Sequence, residues 1–226
     1  MTDLAVVIGA GGGIGAALAE ALEAQGRPVL RLGRASTPVL DLQDEASIAA
    51  AAAHTATRGA PGLVIDATGF LHGAGFAPEK TWRELDPAHL AHAFALNAIG
   101  PALLMKHFLP LLPRTGPAVF ATLSARVGSI GDNRLGGWYA YRASKAALNQ
   151  FVRTAAIELR RRAPNAVCLA LHPGTVDTGL SAPFARTGLD VRPPALAATE
   201  LLRVLAAVTP ADSGTFLDHK GAPIPW

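Results

Sequence analysis

The stretch Leu4-Ala-Val-Val-Ile-Gly-Ala-Gly-Gly-Gly-Ile-Gly15 joins a short apolar run to a glycine-rich turn, and a helical pattern continues from Ile14 to Gln25. A strand, a tight turn and a helix N-terminus in this order bring backbone N–H groups and the positive end of a helix dipole to one place. A pyrophosphate binds at such a place in α/β proteins. Since five of the seven residues from Gly9 to Gly15 are glycine, we interpret the turn as a dinucleotide site rather than a ligand-free loop.

The spacing of the glycines leaves two patterns open. Gly9, Gly13 and Gly15 fit GxxxGxG, and Gly9, Gly12 and Gly15 fit GxxGxxG equally well. GxGxxG fails, because the position of its last glycine holds Ile14. The loop therefore predicts a dinucleotide without selecting a family.

Short apolar runs alternate with longer helical patterns along the chain. The runs typical of buried strands are Leu4–Ile8, Val29–Leu32, Leu63–Ile65, Ala118–Leu123 and Val167–Leu171. The helical patterns cover Ile14–Gln25, Pro87–Leu112, Ala143–Arg162 and Ala195–Val208, and the alanine-rich stretch Ala49–Ala53 is interpreted as one or two helical turns. This alternation predicts one α/β domain over residues 1–226, a Rossmann-type doubly wound parallel sheet flanked by helices.

One connection is too short for the usual crossover helix. Only Gly33–Pro38 separates the strand that ends at Leu32 from the next extended stretch, Val39–Leu42. A parallel crossover needs about a dozen residues. We therefore expect no helix between residues 33 and 39, and an edge strand after Leu32 that is truncated or missing.

Composition excludes several classes of partner. The net charge is +3 and the densest basic run is Arg160–Arg162, which is typical of a helix C-terminus and is too small for a nucleic-acid surface. No window approaches the roughly 18 apolar residues of a membrane span, and the N-terminus lacks a basic leader. The single cysteine, Cys168, lies in an apolar run, which favours a buried thiol in a reducing compartment. We expect a cytoplasmic protein with neither a membrane nor a nucleic acid as partner.

No metal site is expected from the histidines. His89 and His92 lie three residues apart on a helical pattern but lack an HExxH arrangement. We interpret both as polar surface residues.

The stretch Tyr141-Arg-Ala-Ser-Lys145 carries the candidate chemistry. Residues four apart share a helix face, so the Lys145 ammonium is expected beside the Tyr141 phenol. A nearby positive charge lowers a tyrosine pKa from its ordinary value of about 10 and makes the phenol a usable general acid or base. Tyr139, the other tyrosine, has Ala143 at this offset.

Two further polar residues are candidates, although each alone also fits a structural role. Ser124 ends an apolar strand, at the sheet edge where open α/β proteins bind ligands. Asn97 lies within the long helical pattern and is soon followed by Gly100 and Pro101. This sequence predicts a local irregularity with a water-binding role.

The cofactor choice depends on the stretch after the second strand. NAD sites commonly place an acid about 20 residues beyond the glycine loop, but Leu30-Arg-Leu-Gly-Arg-Ala-Ser36 contains none. Arg34 suits a 2′-phosphate, Ser36 is a candidate donor, and Arg31 is a possible substitute. We expect NADP(H) to be preferred and NAD(H) to be possible.

Together these residues resemble the short-chain dehydrogenase/reductase family over nearly the whole chain. Gly9–Gly15 is similar to TGxxxGIG with Ile8 in place of threonine, Asp66-Ala-Thr-Gly69 stands in place of NNAG, and His172-Pro-Gly-Thr-Val-Asp-Thr178 is similar to the family's PG motif. The resemblance implies a catalytic tetrad of Asn97, Ser124, Tyr141 and Lys145. It implies that the cofactor is bound by Gly9, Gly11, Gly12, Gly13, Ile14, Gly15, Arg34, Asp41, Leu42, Ala67, Thr68, Gly69, Asn97, Tyr141, Lys145, Pro173, Gly174, Val176 and Thr178.

Two positions depart from the family pattern. Asp66 replaces an asparagine that makes structural hydrogen bonds. Ser124 lies farther before Tyr141 than is usual, so Ser129 is a rival, although only Ser124 ends the strand. The added residues enlarge the loop Gly128–Gly137.

The resemblance is strongest to the C-factor-like and carbonyl reductase-like subgroup, which implies a small-molecule carbonyl or alcohol substrate. A pocket near Trp138, Phe184 and Leu189 is expected. The resemblance also implies a homodimer or homotetramer formed through the helices around Asn97 and Tyr141, with Ile224-Pro-Trp226 as a further contact. An extended-type epimerase is a weaker alternative because too little chain follows for its substrate domain. A cofactor-binding signalling or sensor protein of the same fold, with little or no turnover, is the other alternative.

Overall fold

The computed structural model describes residues 3–184 and 191–226. A six-stranded sheet forms its centre, in the order β2-β1-β3-β4-β5-β8, and each pair of neighbours is parallel. Its strands are β1 (Ala5–Ile8), β2 (Val29–Leu32), β3 (Leu63–Asp66), β4 (Ala118–Leu123), β5 (Ala166–His172) and β8 (Phe216–Asp218). Two short strands, β6 (Thr175–Val176) and β7 (Val191–Arg192), pair separately. This confirms the predicted Rossmann-type α/β fold, to which β6, β7 and β8 add strands that the sequence did not indicate.

Helices cover both faces of the sheet. They are α1 (Gly13–Ala24), α2 (Glu45–Arg58), α3 (Pro87–Phe94), α4 (Gly100–Phe108), α5 (Tyr139–Arg162) and α6 (Pro194–Ala207). Successive strand residues point to opposite faces, so Val7 packs with α1 and α6, whereas Val6 and Ile8 pack with α2, α4 and α5. The alternation makes two apolar cores, one on each side of the sheet.

The sheet ends at β2. Residues 33–44, all of which the structure describes, form turns and contain neither a helix nor a strand. The absence of the crossover helix and of an edge strand agrees with the short connection. Leu40 is fully buried and occupies the core beside the strands, so the segment contributes packing without extending the sheet.

The helix α2 is longer than the one or two turns expected from Ala49–Ala53. Asp44 caps it by accepting a hydrogen bond from Ala46 N, and Gly59 ends it with a φ of 118°. A capping acid and a terminal glycine are ordinary helix boundaries. Alanine fills many of the positions between these two boundaries, so the apolar periodicity is weak, and the sequence indicated only part of the helix.

The helical stretch Pro87–Leu111 corrects one sequence expectation, because it is long and apolar enough to cross a membrane. By composition alone it is therefore a candidate span. In the structure its residues Leu104 and Phe108 lie fully buried in the core against the sheet. This packing is typical of an apolar helix in the core of an α/β domain.

Candidate active site

The glycine turn after β1 presents an open helix end. A Cβ at Gly15 would collide with the Gly9 carbonyl oxygen, and one at Gly13 would lie 2.7 Å from Thr178 Cγ2. A Cβ at Gly12 would make only ordinary contact, and one at Gly11 would meet nothing within 4 Å. Packing thus requires the glycines of the GxxxGxG pattern, which decides the alternative that spacing left open. The helix N-cap, Gly12, has no side-chain cap hydrogen bond.

The segment after β2 places Arg34 at the surface, exposed and without a hydrogen bond or ion pair to the described part of the chain. Ser36 corrects the sequence interpretation. Its hydroxyl accepts from Gly33 N at 2.9 Å and donates toward the carbonyls of Gly33 and Pro38. It shapes the loop and is not a free donor for phosphate.

Asp41 and Leu42 follow on the same segment. The Asp41 carboxylate accepts from Gln43 N at 2.9 Å, and its backbone N donates to Ser47. Leu42 packs closely against Gly100, since a Cβ added at Gly100 would lie 2.7 Å from Leu42 Cβ. The two residues fix the entry into α2 beside the helix that carries Asn97.

Asp66 retains a full set of hydrogen bonds although it replaces an asparagine. Its buried carboxylate accepts from Thr68 N at 3.0 Å, from Thr68 Oγ1 at 2.5 Å and from Thr122 Oγ1 at 2.6 Å. Burial raises the pKa of Asp66, against the opposing effect of these bonds and of Lys145. The network holds Ala67, Thr68 and Gly69 at the end of β3, and the Ala67 backbone lies directly against Gly9.

Asn97 lies in the middle of a π-helical turn, Ala95–Ile99, between α3 and α4. The predicted irregularity is therefore present. Its Oδ1 accepts from Phe70 N at 2.7 Å, and its Nδ2 donates to Phe70 O at 2.8 Å and to Ser144 Oγ at 3.1 Å. These bonds use both amide hydrogens. Asn97 would therefore bind a water molecule only by accepting a hydrogen bond at the remaining lone pair of Oδ1.

Helix α5 begins at Tyr139, four residues before the predicted start at Ala143, and so includes Tyr141 and Lys145. Lys145 Nζ donates to Leu123 O at 2.8 Å. Burial lowers the pKa of Lys145 to about 8, partly opposed by the Asp66 carboxylate.

The expected effect of Lys145 on Tyr141 is wrong for this structure. Burial raises the pKa of Tyr141 to about 12, where the sequence predicted a lowered pKa. Burial is the cause of the raised pKa, and the Lys145 ammonium is engaged by the Leu123 carbonyl. The phenol is consequently protonated at neutral pH.

The two candidate serines differ in what they face. Ser124 follows β4 and lines a cavity at the carboxyl edge of the sheet, and its Oγ donates to Asn149 Oδ1 at 2.7 Å. Ser129 is buried, and its Oγ accepts from Asp132 N at 3.1 Å. The position of Ser124 in the cavity favours it over Ser129.

The turn after β5 carries Pro173, Gly174, Val176 and Thr178 back toward α1. It is held by Arg192, a buried residue that sequence reasoning missed: its Nη2 donates to Pro173 O at 2.5 Å, and its Nη1 pairs with Glu200. A side chain at Gly174 would collide with this guanidinium.

These elements surround a cavity of about 430 Å³ at the carboxyl edge of the sheet. Ser124 and Tyr141 lie in its wall, together with Ile14 of the glycine turn and the turn after β5. Its outer part is aromatic and apolar, with Trp138 edge-on to Phe184 at 5.2 Å between ring centroids. The enlarged loop adds Asp132, Arg134 and Leu135 to the wall, and Arg126 lies in the wall just before that loop. Leu189, expected here, lies outside the described residues.

His89 corrects the surface interpretation, because it is buried and its Nδ1 lies 3.2 Å from Glu79 Oε1. His92 is half-buried and packs against Phe70. Among residues 3–184 and 191–226, no group of three or more histidine, cysteine, aspartate or glutamate side chains is arranged to hold a metal ion.

Comparison with known proteins agrees with this geometry. Residues 9–192 match the family model described as enoyl-(acyl carrier protein) reductase, a short-chain dehydrogenase model. C-signal of Myxococcus xanthus is 37% identical over 63% of this chain and 82% of its own length. The 1-hydroxy-2-glutathionyl-2-methyl-3-butene dehydrogenase of Rhodococcus sp. strain AD45 is 29% identical over 98% of both chains.

A solved structure extends the likeness to the whole fold. The NADPH-bound carbonyl reductase from chicken fatty liver superimposes with a TM-score of 0.83, at 28% identity and over 99% of both chains. The match of the family model spans most of the chain and includes the glycine turn, the Tyr141–Lys145 helix and the turn after β5. The chain therefore belongs to the short-chain dehydrogenase/reductase family of oxidoreductases.

Proposed function

We propose that this protein is an NADP(H)-preferring reductase of small carbonyl compounds, with Tyr141 as the general acid. The observation that carries the proposal is one shared cavity: Ser124 and Tyr141 line it beside Ile14 of the glycine turn and beside the turn after β5. A carbonyl group in this cavity would lie between two hydroxyl donors and the dinucleotide site.

The cofactor fits the open end of α1. Backbone N–H groups of the first turn have no side-chain cap, and the positions of Gly11 and Gly12 leave room for a pyrophosphate. When bound, NADPH supplies the hydride that reduces the carbonyl carbon. The turn at Pro173 and Gly174, fixed by Arg192, would hold the nicotinamide end.

The proton comes from the chain itself. With its pKa raised to about 12, the Tyr141 phenol carries its proton at neutral pH but is a weak acid. It would pass this proton to the carbonyl oxygen as that oxygen becomes strongly basic on arrival of the hydride at carbon. The product is an alcohol and the phenolate is left behind. The Lys145 ammonium, one helical turn farther along α5, would stabilise this phenolate. Ser124 donates its hydroxyl hydrogen to Asn149 Oδ1 in the structure and would turn it to the carbonyl oxygen when the substrate binds. Asn97 would keep the segment at Phe70 in place.

The preference for NADP(H) rests on Arg34. Its guanidinium is exposed and uncommitted to the described residues, and the segment from Leu30 to Ser36 contains no acid that would repel a 2′-phosphate. The chicken carbonyl reductase, similar in fold, is described with NADPH bound. NAD(H) is the weaker cofactor in this proposal.

The outer cavity favours an apolar or aromatic substituent on the substrate. Trp138, Phe184 and Leu135 supply the contact surface there, and aromatic side chains bind such groups with large buried area. The Rhodococcus relative is named for an alcohol substrate that carries a glutathionyl group. We include both small carbonyls and the corresponding alcohols as substrates.

We also propose a homodimer or homotetramer in the cytoplasm, with neither a nucleic acid nor a membrane as partner. Large apolar side chains lie exposed on the outer helices, among them Ile99, Phe151 and Ile157, and such a surface is typical of an interface. Cys168 is buried in the core, where burial raises its thiol pKa to about 12 and makes the thiol unreactive. Ile224 is buried in the core, so of the predicted terminal contact Pro225 and Trp226 are exposed and available.

A sensor that binds the cofactor without turnover is the second candidate, because C-signal is the relative with 37% identity. NADPH oxidation in the presence of a panel of aldehydes and ketones separates the two. Turnover of a member of the panel that is lost in Tyr141→Phe supports the reductase. NADPH binding without oxidation by any member supports the sensor.

A further inference from the structure

A buried carboxylate lies against the first turn of α5. Glu79 and His89 are 2% and 4% exposed, and Phe76 stacks on the His89 ring with 4.9 Å between centroids. A buried acid is stable only where its oxygens are hydrogen-bonded or paired. The partners of Glu79 therefore show what the residue does.

Besides His89, those partners belong to α5. The Ala140 backbone N donates to both carboxylate oxygens of Glu79 at 3.2 Å, and Trp138 N donates to the Glu79 carbonyl oxygen at 2.5 Å. Ala140 is the second residue of the helix, so its N–H is one of the donors that a helix leaves open. Trp138, the N-cap, makes no side-chain cap hydrogen bond. Glu79 supplies the cap from 61 residues away in sequence, where a negative charge also meets the helix dipole favourably.

The turn that enters α5 has an unusual backbone. Gly136 and Gly137 both have a φ of 64°, and Trp138 follows with a φ of 53° and a ψ of 43°. A bulky residue in the left-handed region is strained, and the surrounding contacts must hold it there. The bond from Trp138 N to Glu79 O is one such contact. This conformation directs the indole toward Tyr141, with 6.2 Å between ring centroids.

We propose that Glu79 is a positioning residue for catalysis. It fixes the first turn of α5 through Ala140, and thereby sets the places of Tyr141 and Trp138 in the cavity. Tyr141 directly follows Ala140, so a shift of this backbone moves the phenol with it. The inference rests on the proposed role of Tyr141 as general acid, and a displacement of about 1 Å can reduce a rate about 100-fold.

Three substitutions test the role, with Glu84→Ala as the matched control. Glu84 also accepts from a backbone N–H, that of Lys80 at 2.6 Å, but it is exposed and makes no hydrogen bond to α5 within the described part of the chain. Glu79→Ala should lower kcat about ten-fold or more while the Kd for NADPH stays within about three-fold. Glu79→Gln keeps an oxygen for Ala140 N and should recover kcat to within about three-fold of wild type. Glu79→Asp retracts the carboxylate by one methylene and should again lower kcat, and it replaces Glu79→Ala if that variant does not fold.

A purely structural role would lower the melting temperature without moving kcat of the folded enzyme. Unchanged kcat in folded Glu79→Ala or Glu79→Asp overturns the proposal, and so does a Glu79→Gln variant as impaired as Glu79→Ala. The near-UV circular dichroism of Trp138, assigned by the difference from Trp138→Phe, needs no turnover. It should weaken in Glu79→Ala and not in Glu84→Ala. If wild type shows no turnover, the proposed function fails, and this spectrum alone decides whether Glu79 positions the turn.

Discussion

Two helices begin at the carboxyl edge of the sheet, and their N-terminal ends are built in opposite ways. The first turn of α1 contains no acid, its N-cap is Gly12, and no side chain among the described residues caps it. The first turn of α5 is closed by the buried carboxylate of Glu79. An uncapped helix end attracts an anion from solution, whereas an end that holds the protein's own anion is already neutralised. The N-terminal end of α1 is thus suited to bind a ligand, and that of α5 is suited to hold the Tyr141 side chain in place.

The largest effect on kcat is expected at the N-terminal end of α5, which carries Tyr141. Tyr141→Phe removes the proton donor and should lower kcat about 10²- to 10⁴-fold, since the phenol is protonated and lines the cavity. The Kd for NADPH, measured by fluorescence titration, should change little because the glycine turn is untouched. Tyr139→Phe is the control and should retain near wild-type kcat. Comparable losses in both variants would remove the special role of Tyr141.

The next effect concerns the open end. Gly12→Asp would give α1 a carboxylate of the kind that Glu79 gives α5, and the position has room for a Cβ. The acid should repel the pyrophosphate and raise the Kd for NADPH by roughly 100-fold, while the free energy of unfolding rises by a few tenths of a kcal/mol, about the value of an N-cap. Gly12→Ser caps without charge and should affect binding far less. Equal affinities in the two variants would show that α1 does not hold the phosphates.

A smaller effect, on the preference between the two cofactors, is expected at Arg34, where the adenosine part of the cofactor would lie near the N-terminal end of α1. Arg34→Ala should reduce the preference for NADPH over NADH in kcat/KM by about ten-fold to 100-fold, the value of a charge-assisted hydrogen bond. Both cofactors are assayed against one carbonyl substrate, with Arg31→Ala as the comparison, because Arg31 is paired with Glu23. An equal loss with both cofactors in Arg34→Ala would contradict a phosphate contact.

The smallest effect tests the electrostatics between the two helix ends, where His172 lines the cavity. Burial, together with Arg126 and His219, lowers the pKa of His172 to about 4. Between this value and its ordinary pKa of about 6.5 the unfolded chain binds a proton that the folded protein does not, so the free energy of unfolding should fall as pH decreases from 6.5 toward 4, by about 1 kcal/mol or more. Urea unfolding across this range should show a flatter dependence in His172→Gln. His54→Gln on α2 is the control, and an identical pH dependence in His172→Gln and wild type would contradict the shift.

The sequence predicted those features that depend on neighbours in the chain. The fold followed from the alternation of apolar runs and helical patterns, the missing edge strand followed from the length of Gly33–Pro38, and Tyr141 and Lys145 do share one helix. Short-range spacing determines each of these. Helix α2 was also within reach, since Asp44 and Gly59 mark its ends.

Features that depend on distant segments were missed. Glu79 meets Ala140 across 61 residues, and Arg192 meets Pro173 across 19. Spacing gives no information about such contacts. The pKa of Tyr141 was misjudged for a related reason. The charge of Lys145 is visible in the sequence, but the burial of the phenol and the hydrogen bond of Lys145 Nζ to Leu123 O are properties of the fold.

The most direct test of the proposed reductase activity follows the hydrogen that NADPH would transfer to the carbonyl carbon. NADPH deuterated at both C4 positions is incubated with wild type and a carbonyl compound from the panel, and the product is analysed by mass spectrometry and NMR. The account predicts one deuterium on the former carbonyl carbon, and no labelled product from Tyr141→Phe although it still binds NADPH. Bound cofactor with no transfer of deuterium to any carbonyl compound in wild type, or full transfer in Tyr141→Phe, would contradict it.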